Sequence, residues 1–119
     1  MKKTMKYILA IGLIVIFLAL IYFSYKLNSE PGKYDSFAEC LTENGAIMYG
    51  TDWCSHCRDQ KALFGKSFDY VNYKNCDNVK QECIDAGVEG YPTWKIDNIN
   101  YPGTQSLEKL SSLTNCVLE

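Results

Sequence analysis

A chain of 119 residues with a formal net charge of -2 has room for one small core once its apolar N-terminal segment is set aside. Its lysines are scattered outside the extreme N-terminus and give no basic field, which excludes nucleic acid as a partner. Six cysteines, all beyond residue 39, are hard to keep in a reducing cytosol unless they bind metal or do redox chemistry, so an oxidising compartment is the simpler home.

Residues 1–6, with Lys2, Lys3 and Lys6, read as a cytoplasmic N-terminus. From Tyr7 to Tyr25 no charge interrupts a run of mostly Ile, Leu, Val, Phe and Ala. At about 1.5 Å per residue that run nearly matches a hydrocarbon core of about 30 Å, which predicts a transmembrane anchor over 7–25. Tyr7, Tyr22, Phe23 and Tyr25 fall where an aromatic belt lies, and the basic flank puts the rest of the chain on the extracytoplasmic side. A cleaved signal peptide is the rival, but the run is long for an h-region and Ile21-Tyr22-Phe23 suits signal peptidase poorly. Both readings export the domain. Residues 26–34 carry turn chemistry at Asn28, Ser29, Glu30, Pro31 and Gly32, and read as a linker to a domain over 35–119.

Within that domain, Ser36-Phe37-Ala38-Glu39 has the spacing of a capping box, with Phe37, Cys40 and Leu41 on one helical face and Asn44-Gly45 as the stop. Ala46 to Gly50 reads as a buried strand, and Thr51-Asp52-Trp53 as the loop after it. A helix follows over 57–64 with Cys57 in its first turn. Phe68 to Tyr73 reads as a strand, and Asn78 to Ala86 as a helix ended by Gly87. Thr93–Ile96 and Asn100-Tyr101 flank Asp97-Asn98 as a hairpin, and Leu107, Leu110 and Leu113 mark a last amphipathic helix. The order predicts an α/β fold, a central mixed sheet flanked by helices.

The chemistry centres on Cys54-Ser55-His56-Cys57. A cysteine just before a helix puts its sulfur near unpaired N–H groups and the positive helix end, which favours the thiolate, so Cys54 reads as the nucleophile. Cys57, three positions on, can attack a mixed disulfide on Cys54 and resolve it, so the pair cycles without a cofactor. Ser55 and His56 tune the potential, and a protonated His56 adds positive charge beside the thiolate. His56 is the only histidine, which leaves no separate base for a hydrolase relay. Arg58 stands where covalent haem attachment requires histidine.

Trp53-Cys54-Ser55-His56-Cys57 followed by Gly90-Tyr91-Pro92-Thr93 resembles the thioredoxin superfamily. The resemblance implies a thioredoxin-like fold in which Pro92 is cis and faces the C-x-x-C, and Tyr91 offers backbone hydrogen bonds to a bound peptide. Phe37-Ala38-Glu39-Cys40-Leu41, Met48-Tyr49-Gly50, Gly90 to Trp94 and Leu113-Thr114-Asn115-Cys116 are most similar to the thioredoxin-like domain that partners vitamin K epoxide reductase homologues. That likeness implies a membrane reductase passing electrons to a quinone. The sequence departs from thioredoxins at Met48, where a buried carboxylate stands in that family six residues before the first cysteine. Water or His56 is left to take its place as proton acceptor. Ser55-His56 also differs from the Gly-Pro of thioredoxin and the Pro-His of the DsbA oxidants, sharing only its histidine with the latter.

Cys76 and Cys83 are near enough in sequence for a local disulfide, which leaves Cys40 and Cys116 to tie the first helix of the domain to the last, although four cysteines allow three connectivities. A second redox pair at Cys76 and Cys83 competes with the staple. Zinc held by Cys54, Cys57, Cys76 and Cys83 fits poorly, because the gap in the second pair exceeds the usual ligand spacing, so no metal is expected. Trp94 reads as core, whereas Trp53, Tyr91 and Pro92 read as a substrate-contacting rim. Lys61, Lys66, Lys74, Lys80 and Lys109 read as solvated surface.

The function expected is thiol-disulfide exchange with exported protein thiols and disulfides. A reductive carrier or isomerase would use the same residues. In a non-catalytic binding module of the same fold, Cys54 and Cys57 would be a permanent staple.

Overall fold

The computed structural model describes all 119 residues, which divide into two units, Met1–Glu30 and Pro31–Glu119. The first is a single helix, α1 (Lys2–Ser29), with no buried residue and long and apolar enough to cross a membrane. It runs through Ser29, so the first residues of the segment read as a linker are helical instead. Nothing before Pro31 breaks the helix, and Ser29 Oγ donates to the Lys26 carbonyl at 3.0 Å. Glu30 turns extended (φ -70°, ψ 133°), as a residue before proline must.

The second unit opens with α2 (Asp35–Glu43), whose Phe37, Ala38 and Leu41 are buried. The capping box at Ser36 does not form. The helix starts two residues earlier than a Ser36 cap requires, the capping position is Tyr34 without a side-chain bond, and Asp35 Oδ2 accepts the Gly32 N–H at 2.9 Å. Gly45, at φ 76°, supplies the left-handed residue that ends the helix.

A four-stranded sheet follows in the order β2-β1-β3-β4: β1 (Ile47–Gly50), β2 (Tyr73–Asn75), β3 (Thr93–Ile96) and β4 (Ile99–Pro102). β1 pairs parallel with β2 and antiparallel with β3. Successive strand residues face opposite ways, so Met48, Trp94 and Ile96 join one core while Ile47 and Tyr49 join another. The larger core draws Phe37 and Leu41 from α2, Phe64 from α3 (Ser55–Phe64) and Leu110 from α5 (Leu107–Thr114). Phe64 stands between Phe37 and Trp94, with ring centroids 6.1 and 6.0 Å away. The smaller core packs Tyr49 against Cys76 and Cys83, the latter from α4 (Lys80–Asp85). Asp97 and Asn98, at φ 51° and 62°, make the two-residue turn of the β3–β4 hairpin.

The strand expected over Phe68–Tyr73 is mostly a 3-10 turn, Gly65–Tyr70, with pairing only from Tyr73 onward. Gly65, at φ 57°, ends α3 and swings the chain back. Phe68 then spends its apolar ring edge-on to Phe64 and Tyr73, while the buried Ser67 hydroxyl accepts the Tyr34 N–H at 2.8 Å. Two disulfides close the unit, Cys40–Cys116 and Cys76–Cys83.

Candidate active site

β1 delivers the chain through Thr51-Asp52-Trp53 to the start of α3, where Cys54 is the capping residue. Its sulfur accepts the Cys57 N–H at 3.2 Å, one of the orphan donors of the first turn. Cys54 and Cys57 are the two free thiols, 8% and 0% exposed. Cys57 lies against the backbone of Gly50, where an added Cβ would fall 2.8 Å from its sulfur, so β1 needs glycine at that place. Burial, and then the contact with Cys54, push the Cys57 thiol up to about 12, while the Thr51 backbone and Lys61 pull the other way.

The second wall is the loop before β3. The Tyr91–Pro92 bond is cis, Pro92 is buried, and the Tyr91 carbonyl faces the thiol pair, accepting from the Cys54 thiol at 3.6 Å. The Gly103 N–H donates to the Pro92 carbonyl at 2.7 Å, and the Thr93 hydroxyl to that of Gly90 at 2.8 Å, which pins the loop. Trp53, 67% exposed, stands edge-on to Tyr91 at 6.1 Å. Its indole N–H donates to Asp77 Oδ2 at 2.9 Å. Ser55 and His56 are exposed, with His56 Nδ1 3.9 Å from Asp59. Trp94 is fully buried, its N–H on Gln60 Oε1 at 3.0 Å.

Three groups near the pair, Gln60, Asp52 and Lys61, carry no site role in the sequence. Buried Gln60 joins Trp94 to the Gln105 backbone and so ties α3 to the segment before α5. Asp52 accepts from Lys61 at 3.1 Å, Tyr73 at 3.3 Å and Asn75 at 2.9 Å, which holds its carboxyl below the usual range, with Lys61 the main cause. Lys61 is therefore not solvated surface: its side chain is 27% exposed and its ammonium lies 4.0 Å from the centre of the Tyr73 ring. Lys74 is likewise engaged, 3.4 Å from Glu82. The one visible signal was spacing, since Lys61 follows Cys57 by a helical turn. No cluster of His, Cys, Asp or Glu side chains converges as a metal site.

A mixed sheet, a thiol pair opening a helix from its central strand, and a cis-proline loop against the first thiol together settle the architecture. The fold is thioredoxin-like. No protein-family model matches the chain. Among curated proteins, the thiol-disulfide oxidoreductase LTO1 of Arabidopsis thaliana is 36% identical over 108 residues, which take in 82% of this chain and 29% of that protein. The protein disulfide-isomerase of Aspergillus niger is 28% identical over 92 residues, 66% of this chain and 18% of the relative. That of Humicola insolens is 27% identical over 94 residues, 67% and 19%. The thioredoxin-like chain thus spans less than a third of the length of each of these relatives.

Proposed function

We propose that this chain is a membrane-anchored thiol-disulfide oxidoreductase acting on exported proteins, with Cys54 the nucleophile and Cys57 the resolving thiol. The observation that carries the reading is the Cys54 sulfur at the first turn of α3, bonded by the Cys57 N–H and faced by the Tyr91 carbonyl. When a substrate disulfide is reduced, the Cys54 thiolate attacks one sulfur, and one substrate thiolate leaves and takes a proton. Cys57 then loses its proton and attacks Cys54, so the Cys54–Cys57 bond forms as the second substrate thiolate departs. Two electrons have passed from the pair to the substrate. Disulfide donation is the reverse, with Cys57 as leaving group.

Trp53 and Tyr91 form the apolar rim on which an unfolded polypeptide rests while its backbone meets the Tyr91 carbonyl. α1 anchors the domain on the extracytoplasmic face, in line with Lys2, Lys3 and Lys6 before the apolar run. The oxidised state is renewed by a membrane reductase of the vitamin K epoxide reductase type that hands electrons to a quinone. Similarity to proteins named thiol-disulfide oxidoreductase and protein disulfide-isomerase supports the reaction class.

Cys57→Ala in the full chain tests the reaction. Mixed disulfides through Cys54 should accumulate and dissolve in dithiothreitol, whereas no adduct would leave a binding module in which the pair is inert. Titration of Cys54–Cys57 against glutathione then sets the direction: a potential near or above about -200 mV favours disulfide donation, and one near about -270 mV a reductive carrier.

A further inference from the structure

In either direction of exchange, Cys57 must carry a negative charge at a place where burial opposes it. The strand position that could hold a carboxylate under the pair is Met48, fully buried among apolar side chains. Four other observations converge behind Cys57. Lys61 stands one turn along α3 from it on the same face. The Tyr73 ring edge and the Cys57 sulfur meet over Gly50, where an added Cβ would lie 3.4 and 2.8 Å from them. The Lys61 ammonium sits over that same ring at 4.0 Å and over Phe68 at 5.4 Å. Asp52, itself 71% exposed on its side chain, fixes the ammonium at 3.1 Å from its outer side.

Resting on the exchange reading above, we propose that Lys61 is the positioning residue of the resolving step. Its ammonium, clamped between Asp52 and the Tyr73 ring, stabilises the Cys57 thiolate from beneath the pair. Around Cys57 are Cys54, which caps its helix, the Tyr73 ring edge across Gly50, and Lys61 one turn on, whose ammonium lies over that ring with Asp52 on it, while Asp77 binds the Trp53 indole. Of these, the lysine supplies the positive charge. By microscopic reversibility it serves both directions, easing attack by Cys57 on a mixed disulfide and its departure when substrate opens the Cys54–Cys57 bond. The proton released from Cys57 goes to water, and no further reactant is needed.

The test is the closure rate of a Cys54–glutathione mixed disulfide in the detergent-solubilised full chain, followed by acid quench and mass analysis between pH 6 and 9. Lys61→Met should slow closure about threefold for each tenfold loss of thiolate, because nucleophilicity recovers part of the deficit. Lys61→Glu should slow it further, and Lys61→Arg should restore it, a ranking by charge that a packing role would not produce. Thermal melting identifies any variant that has lost its fold, and Lys61→Gln replaces Lys61→Met if that one has. Closure at one rate across the series overturns the role of Lys61 and leaves the exchange chemistry standing. If the unaltered chain forms no mixed disulfide at all, the exchange reading falls and takes this one with it.

Discussion

The two free thiols and the two disulfides are, half-buried Cys40 apart, alike in burial and unlike in everything around them. Cys54, Cys57, Cys76, Cys83 and Cys116 are all 8% exposed or less. Around Cys54 and Cys57 stand a helix terminus, the Tyr91 carbonyl and a clamped ammonium, each able to favour one charge state over the other. Cys76–Cys83 is packed against Tyr49 with Ile47, Val79, Ala86 and Val88 around it. At Cys40–Cys116 the polar neighbour is the Asn44 amide, 3.4 Å from each sulfur. Polar groups that respond to charge, more than access to water, separate the surroundings of the two free thiols from those of the disulfides.

Removing the longer staple should have the largest effect. Cys40–Cys116 joins residues 76 apart in sequence, and chain-entropy reasoning gives it about 4 to 5 kcal/mol. The double variant Cys40→Ala, Cys116→Ala should lower the urea midpoint accordingly, while closure between Cys54 and Cys57 in the protein that remains folded keeps its rate. Slowed closure in folded protein would mean that staple and redox pair are not independent, and the contrast would collapse.

Next comes the response to alkali, which sorts the cysteines by whether they titrate. Cys57 rises from 9.0 in the unfolded chain to about 12 in the folded one. Between those values the native state holds a proton that the unfolded state has lost, so the reduced protein should lose stability as pH climbs from about 9 toward 12, and keep it in full below that window. Tyr49 and Tyr73, both raised by burial, give a slope of the same sign in either redox state. Subtracting the oxidised protein, in which neither Cys54 nor Cys57 titrates, leaves the contribution of the thiol pair, and Cys57→Ala assigns the part that belongs to Cys57. Parallel curves for the two forms would show that Cys57 is not held neutral.

Local pattern carried much of this into the sequence, and the limits are as physical as the successes. The Asp97-Asn98 turn, the Gly45 stop and the Leu107/Leu110 face are visible because each is decided within a few neighbouring residues. The C-x-x-C and the Gly90–Trp94 stretch pointed to a thioredoxin-like fold through their resemblance to that superfamily, since a C-x-x-C alone also occurs in zinc sites and structural disulfides. Phe68 misled, since an aromatic in a short run fits a strand or a packed turn equally, and only Gly65 at positive φ and the bond from Tyr34 to Ser67 decide between them. Lys61 misled for a related reason. Its partners Asp52 and Tyr73 are nine and twelve positions away, so nothing local marks it as held.

The shorter staple gives the smallest expected effect and the sharpest test of whether structural and reactive cysteines are separate. Cys76–Cys83 closes a separation of 7 residues, worth about 2 to 3 kcal/mol by the same reasoning. Yet it fixes the end of β2, where the Cys76 N–H donates to Gly50 at 2.8 Å, Asn75 binds Asp52 and Asp77 binds the Trp53 indole. The double variant Cys76→Ala, Cys83→Ala should therefore lose that stability and also free Trp53, seen as a fall in fluorescence anisotropy over the constant background of buried Trp94. Asp77→Ala separates the two consequences. It removes the charged acceptor from an exposed bond, so stability should move by only about 0.5 kcal/mol, while the anisotropy falls in the same direction. If the anisotropy falls in the first variant and not in the second, Trp53 is held by the staple through backbone alone. If it falls in neither, the rim beside Cys54 is set by Tyr91, and the two kinds of cysteine are as independent as their surroundings suggest.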